Sequence, residues 1–211
     1  MTQVMKTAPG WSAAARYSAI ALLAVGACSA PPPDDLSYVD MMLAARTAKD
    51  QAFENSADSP VPVSRRELLL PLSYYVPDVG YRVPASLRLD DEQAVFEIPT
   101  STGKWRAMRR VGILGFHLQG EPMTLSAFVE VGAPNNDSLF VPFGDPTNGE
   151  ETYPAGRYLD LSVTPTGIYD LDFNLAYHPF CYFDERFDCP FPPPENQLDW
   201  AVRAGERLPQ G

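Results

Sequence analysis

Between residues 81 and 174 apolar and polar side chains alternate with a period of two, the pattern of strands that bury one face. The alternation falls into runs at Tyr81–Leu89, Gln93–Ile98, Lys104–Val111, Ile113–Gln119, Met123–Val131, Leu139–Phe143, Arg157–Val163 and Ile168–Asn174. Turn signals separate them, among them Pro99-Thr-Ser-Thr-Gly103, Gly120-Glu-Pro122, Pro134-Asn-Asn-Asp137 and Thr164-Pro-Thr-Gly167. Such spacing predicts a mainly β fold, an antiparallel sandwich, roll or barrel. Ahead of the strands the period is helical. Leu36, Val39, Leu43 and Phe53 predict a helix over 36–54, and Ser64-Arg-Arg-Glu67 reads as a capping box opening a short helix through Leu70, stopped by Pro71. After Asn174 the chain is irregular and Pro-rich to Asn196. A last helix is expected from Gln197 to Arg207, with Leu198 and Val202 on one face. There is no internal repeat and no second boundary, so residues 36–211 form one domain with helices at both ends.

The amino terminus has another character. Lys6 and Arg16 precede a short apolar run, Tyr17–Val25, which ends in Gly26-Ala27-Cys28. That order describes a secretory signal peptide over residues 1–27. The run is too short for a membrane span, which needs roughly 20 residues. Val25-Gly26-Ala27-Cys28 resembles the lipobox of bacterial lipoproteins, which implies lipidation of Cys28. The polar, extended stretch that follows, Ser29-Ala-Pro-Pro-Pro-Asp-Asp35, suits a tether. In such lipoproteins Asp after the cysteine retains the protein in the inner membrane, so Ser29 points to the outer one. The expected location is therefore the cell envelope, lipid-anchored and facing the periplasm.

Charge narrows the partners. The 211 residues carry a net −11, and removing residues 1–27 takes away Lys6 and Arg16 and no acid, leaving −13. A surface this acidic repels phosphate backbones, which argues against nucleic acid, and leaves the lipid rather than charge as the membrane anchor. With Cys28 lipidated, Cys181 and Cys189 remain as an even pair in an oxidising compartment. A disulfide between them would contribute about 2.5 kcal/mol by loop closure. Zinc ligation by His178-x-x-Cys181 is the alternative, but it lacks a fourth ligand, and free thiols are the third reading.

Special residues crowd into 143–196. Here lie Asp145-Pro-Thr147-Asn-Gly149-Glu-Glu-Thr152-Tyr153-Pro-Ala-Gly156-Arg157-Tyr158, then Asp172-Phe173-Asn174-Leu-Ala176-Tyr177-His-Pro179-Phe-Cys181, then Cys189-Pro190-Phe-Pro-Pro-Pro-Glu-Asn196. With Tyr74-Tyr75-Val-Pro77-Asp78 and Ala204-Gly205-Glu206, these strings resemble the bacterial family catalogued as DUF1684, a domain of unknown function. The likeness covers nearly the whole domain. It departs at His178, where the family pattern has Asn. It implies a common fold and a shared site drawn from Asp145, Thr152, Tyr153, Arg157, Asp172, Asn174 and Tyr177, and brings no established activity.

Read physically, Asp145-Pro146 with Asn148-Gly149 is a hairpin loop whose Asp caps its own backbone. Calcium at Asp145, Glu150 and Glu151 is a weaker fit, because the register is not that of a calcium loop. Arg157 either pairs with Asp145 or Asp172, fastening loop to sheet, or offers its fork to an anionic ligand. Asp172 and Asn174 share a strand face if the strand runs through 174, and with Tyr177 they line a pocket or form a buried network. His117 reads as a packed or surface strand residue. His178 is a candidate base oriented by Asp172. No Gly-x-Ser-x-Gly elbow, no isolated Cys/His couple and no phosphate- or dinucleotide-binding glycine pattern is present, so no cofactor is implied. Three functions remain: a module binding a small polar or anionic ligand, a hydrolase using Asp145, Asp172 and His178, or a structural lipoprotein of the envelope.

Overall fold

A computed structural model describes residues 35–133 and 137–210. The expected signal peptide, Cys28 and tether lie outside the described residues. The domain is mostly β, as the period-two runs predict. Its strands are β1 (Arg82–Leu89), β2 (Val95–Pro99), β3 (Trp105–Leu118), β4 (Glu121–Glu130), β5 (Ser138–Phe143), β6 (Arg157–Ser162) and β7 (Ile168–Asp172). They form one antiparallel sheet in the order β6-β5-β4-β3-β1-β7, with β2 on the first half of β3. The sheet curls into a nearly closed barrel. Its end strands β6 and β7 follow one another in sequence and flank a seam that no ladder closes.

Two expected strands, 104–111 and 113–119, are one. β3 continues through a bulge at Arg110–Gly112 and changes partner there, from β2 to β1. Gly112 makes that possible, because a methyl group on it would collide with the Arg88 carbonyl of β1. Side chains facing inward build the core: Leu114, Phe116 and Leu118 from β3, Leu125 and Ala127 from β4, Leu139, Val141 and Phe143 from β5, Leu159 and Leu161 from β6, and Leu171 from β7. Each fully buried Leu or Phe contributes about 1.5–3 kcal/mol.

Helix α1 (Asp35–Asn55) matches expectation in extent but not in its buried stripe. Tyr38 and Met42 are buried while Leu43 is half exposed. The packed face continues through Arg46 and Lys49, because what it meets is polar. Tyr38 Oη donates to Asp172 Oδ2 at 2.8 Å, Arg46 to the Tyr75 carbonyl at 2.8 Å, and Lys49 pairs with Glu206 at 2.6 Å. Helix α2 (Val63–Leu69) starts one residue before the expected cap. Pro62, with φ −56° and ψ 142°, is its N-cap, so Ser64 sits inside the first turn and the capping box does not form.

The expected C-terminal helix over 197–207 is absent. Leu198, Val202 and Ala204 still enter the core, but from an extended segment. Its backbone groups pair across the fold: Leu198 N–H with Gly144 O, Glu206 N–H with Ala176 O and Arg207 N–H with Ser73 O. Gly205 has φ +78°, a conformation closed to most residues, and its approach to Ala176 O leaves no room for a side chain. The irregular stretch holds a single-turn α-helix, α3 (Phe180–Phe183), and a 3-10 turn at Pro194–Asn196.

Candidate functional site

Arg157 opens β6 and turns inward. Its guanidinium is completely buried, as is the Asp145 carboxylate that it meets at 2.8 Å. The other bonds of its terminal nitrogens go to the carbonyls of Val202 (2.7 Å), Ala204 and Glu206 (3.2 Å), while Nε is buried without a hydrogen-bond partner among the described residues. Asp145 Oδ1 takes the backbone N–H of Thr147 at 2.9 Å and of Val202 at 3.2 Å. The pair thus staples the β5–β6 loop to the C-terminal segment, and no guanidinium nitrogen faces a cavity lined by described residues. Of the two readings of Arg157, the geometry is that of the fastener. Thr152 closes the same loop, its Oγ1 bonded to Thr147 Oγ1 at 2.8 Å and receiving Asn148 Nδ2 at 2.9 Å.

Asp172 and Asn174 belong to a second, separate network. The strand stops at Asp172, whose Oδ1 caps a 3-10 turn by accepting Asn174 N–H at 2.9 Å. The side chain of Asn174 brackets the backbone of Asp78, donating to its carbonyl and accepting its N–H. With Tyr38 on Asp172, these residues dock α1 and the 78–80 turn onto the end of β7. They do not share a pocket with Arg157.

His178 is not placed for base catalysis. It is buried, its Nε2 accepts the Tyr153 N–H at 3.3 Å, and its backbone N–H donates to Glu206 Oε2 at 2.8 Å. Burial first, then the charges of Arg157 and Lys49, holds its pKa down to about 3, so the imidazole is neutral. Among the described residues nothing joins it to Asp172, so the hydrolase couple is not assembled. His117 is exposed on β3. Glu206 and Lys49 carry much of this network and had no assigned role in the sequence reading, although Glu206 lies in the Ala204-Gly205-Glu206 string.

Cys181 and Cys189 are neighbours with free thiols: the Cys181 N–H donates to Cys189 Sγ at 3.2 Å, and Tyr153 Oη lies 3.9 Å from Cys181 Sγ. Hydrogen bonding from Cys189 favours the Cys181 thiolate and lowers its pKa to about 6, while the same contact and burial push Cys189 upward.

Of the sequence-derived candidates, Tyr177 faces a cavity of substance. On the outer face of β3–β6, beneath the 180–190 segment, a space of about 430 Å³ is lined by Met108, Phe140, Tyr158, Tyr177, Phe180 and Phe187. The polar tips of its tyrosines are engaged: Tyr158 Oη donates to Pro190 O, and Tyr177 Oη to Asp160 at 2.6 Å. Arg106 at the rim is held by Asp188 at 3.0 Å and Glu130 at 3.7 Å. Ring edges and faces therefore dominate the wall. Phe140 and Tyr158 meet edge to face at 4.7 Å, and Tyr158 and Tyr177 at 5.8 Å.

Comparison with known proteins points one way. A similar solved structure is the solution NMR structure of an uncharacterized protein from Haloarcula marismortui. It is 37% identical, the match covers 83% of this chain and 96% of that one, and the TM-score is 0.65. No curated protein matches the chain. A family model, described as a protein of unknown function, matches residues 69–207, from α2 through the C-terminal segment that plugs the barrel. That span exceeds half the sequence, and the chain belongs to the DUF1684 family.

Proposed function

We propose that the protein is a lipid-anchored envelope protein whose domain binds a small, flat, largely uncharged molecule in the cavity over the outer face of β3–β6. The observation that carries this is the aromatic wall itself. A cavity of about 430 Å³ lies in the range of small-molecule sites, on the order of 300–1,000 Å³. Its tyrosine hydroxyls and its one guanidinium already have partners, so it offers ring surface rather than a free charge. This departs from the polar or anionic ligand expected from Arg157, which is completely buried with its terminal nitrogens spent on the fold. Tyr158, Tyr177, Cys189 and Pro190, drawn from the strings that resemble the family, line the same wall. Export and the Cys28 lipid rest on the amino-terminal pattern and supply the setting.

Thermal melts of the full chain against a panel of aromatic metabolites test the reading. A ligand at 100 times its Kd stabilises by about 2.7 kcal/mol, on the order of 5–10 °C for a domain of this size. Ser138 is exposed at the cavity wall, and Ser138→Trp should fill the space and abolish the shift. Equal shifts in both proteins, or none with any panel member, would refute it.

A further inference from the structure

The two ends of the barrel differ. At one, Leu198, Val202 and Ala204 pack with Phe143 and Phe173, and the Arg157–Asp145 pair seals the closure. At the other, inward-facing residues of five strands, Leu87, Val111, Val129, Leu139 and Tyr169, meet no plug. They line a cavity of about 530 Å³ that opens past Leu89 and Val163. Those two rim residues are 65% and 51% exposed, a large apolar surface to leave in water.

One charge lines this space. In a chain of net −11 it is positive, Arg109, which shares the inner face with its β4 partner Val129. Arg82, Arg106, Arg110, Arg157, Arg186 and Arg203 each rest on a carboxylate. Arg109 is half-buried, and among the described residues no acceptor meets its guanidinium. Tyr169, 5% exposed and lining the same cavity, has a hydroxyl with no hydrogen bond among the described residues. Neither group is shut off from solvent, so both stand open to a ligand in the cavity. An apolar chamber with a guanidinium and a phenol at its wall matches a molecule with an aliphatic tail and an anionic head.

We infer that the open end of the barrel is a second binding site, for a single-chain amphiphile whose carboxylate or phosphate head is taken by Arg109 and Tyr169 and whose tail lies against Leu87, Val111, Val129 and Leu139. The site shares only Val129 with the aromatic cavity and stands whether or not that cavity binds anything.

The test uses the full chain with Cys28→Ser, purified without detergent, titrated by calorimetry with dodecanoate, lauroyl-lysophosphatidylglycerol and dodecyltrimethylammonium. Dodecanoate or the lysophospholipid should bind at least tenfold more tightly than the cation. The tighter of the two identifies a free fatty acid or a membrane lipid as the source, and either supports the class. Arg109→Gln should weaken the anions about tenfold or more and leave the cation unchanged, the loss of one charge-assisted pair. Val163→Glu, at an exposed rim position, should weaken them as well without touching the core. Ser138→Trp should have no effect. Equal affinity for the anions and the cation, indifference to Arg109→Gln, or loss of binding in Ser138→Trp would each overturn the proposal.

Discussion

Replacing Arg157 by Met keeps most of the buried volume and removes the charge and every donor. Asp145 would then sit fully buried without its counterion, although the N–H groups of Thr147 and Val202 still reach it. The carbonyls of Val202, Ala204 and Glu206 would lose the donor that they share. Breaking a buried ion pair by removing one partner costs about 3–5 kcal/mol. The two donors left on Asp145 pull toward the lower end of that range, and the three orphaned carbonyls, at about 1 kcal/mol each, pull toward the upper. About 4 kcal/mol is the expected loss, a large share of the roughly 5–15 kcal/mol that holds a domain together. With a urea slope near 2 kcal/mol per molar, the midpoint should fall by about 2 M. Adding Asp145→Asn should cost less than the sum of the two single changes, because the stranded charge goes with it. Urea unfolding followed by tryptophan fluorescence measures all three variants. A midpoint within about 0.5 M of the wild type for Arg157→Met, with the slope unchanged, would refute the view of this residue as the seal of the barrel.

Three further outcomes are expected. His178 is held neutral with a pKa near 3 against an ordinary 6.5, so the unfolded chain binds its proton first. Its contribution is complete above pH 6.5 and is lost as pH falls toward 3, by up to about 1.4 kcal/mol per pH unit; His178→Asn should flatten that part of the stability profile, and an unchanged profile would contradict the buried neutral imidazole. In protein isolated from the envelope, Cys181 and Cys189 should be joined, their Cα atoms ~4.4–6.8 Å apart, and denaturing thiol labelling that finds both reactive would end that expectation. Cys28→Ser should move the protein from the membrane to the soluble fraction, and retention on the membrane would remove the lipid anchor from the account.

Local pattern carried much of the fold. The alternation of Leu139, Val141 and Phe143, or of Leu159 and Leu161, marks inward positions without knowledge of any partner, and the structure puts each of them in the core. It misleads at Leu198 and Val202, four residues apart as in a helix, because the competing arrangement depends on Arg157, Ala176 and Ser73, which the local window does not contain. The same limit governs the candidate site. Asp145, Arg157, Asp172 and Asn174 stood out as polar residues crowded together, yet they fall into two networks that consume their hydrogen bonds internally. The aromatic cavity takes residues from β3, β4, β5, β6 and the 180–190 segment, a set spread over more than 80 residues of sequence that no local motif joins. Of its lining, Tyr177 was marked in advance as a ligand contact and Cys189 as a disulfide partner.

The way Arg157 is held also sets how the protein can vary. Three of its four hydrogen-bond partners are main-chain carbonyls, which every amino acid supplies. No exchange at 202, 204 or 206 can therefore compensate for its loss, and no exchange there need disturb it so long as the backbone keeps its path. Among its partners only the side chains of Asp145 and of Phe143, whose ring lies 5.2 Å from the guanidinium, can covary with it. In an alignment of relatives, position 157 should be invariant while the side chains around its fork drift under other constraints, those of core packing at Val202 and Ala204 and of backbone conformation at Gly205. A method that finds contacts from correlated substitutions would see little of the residue that closes the barrel.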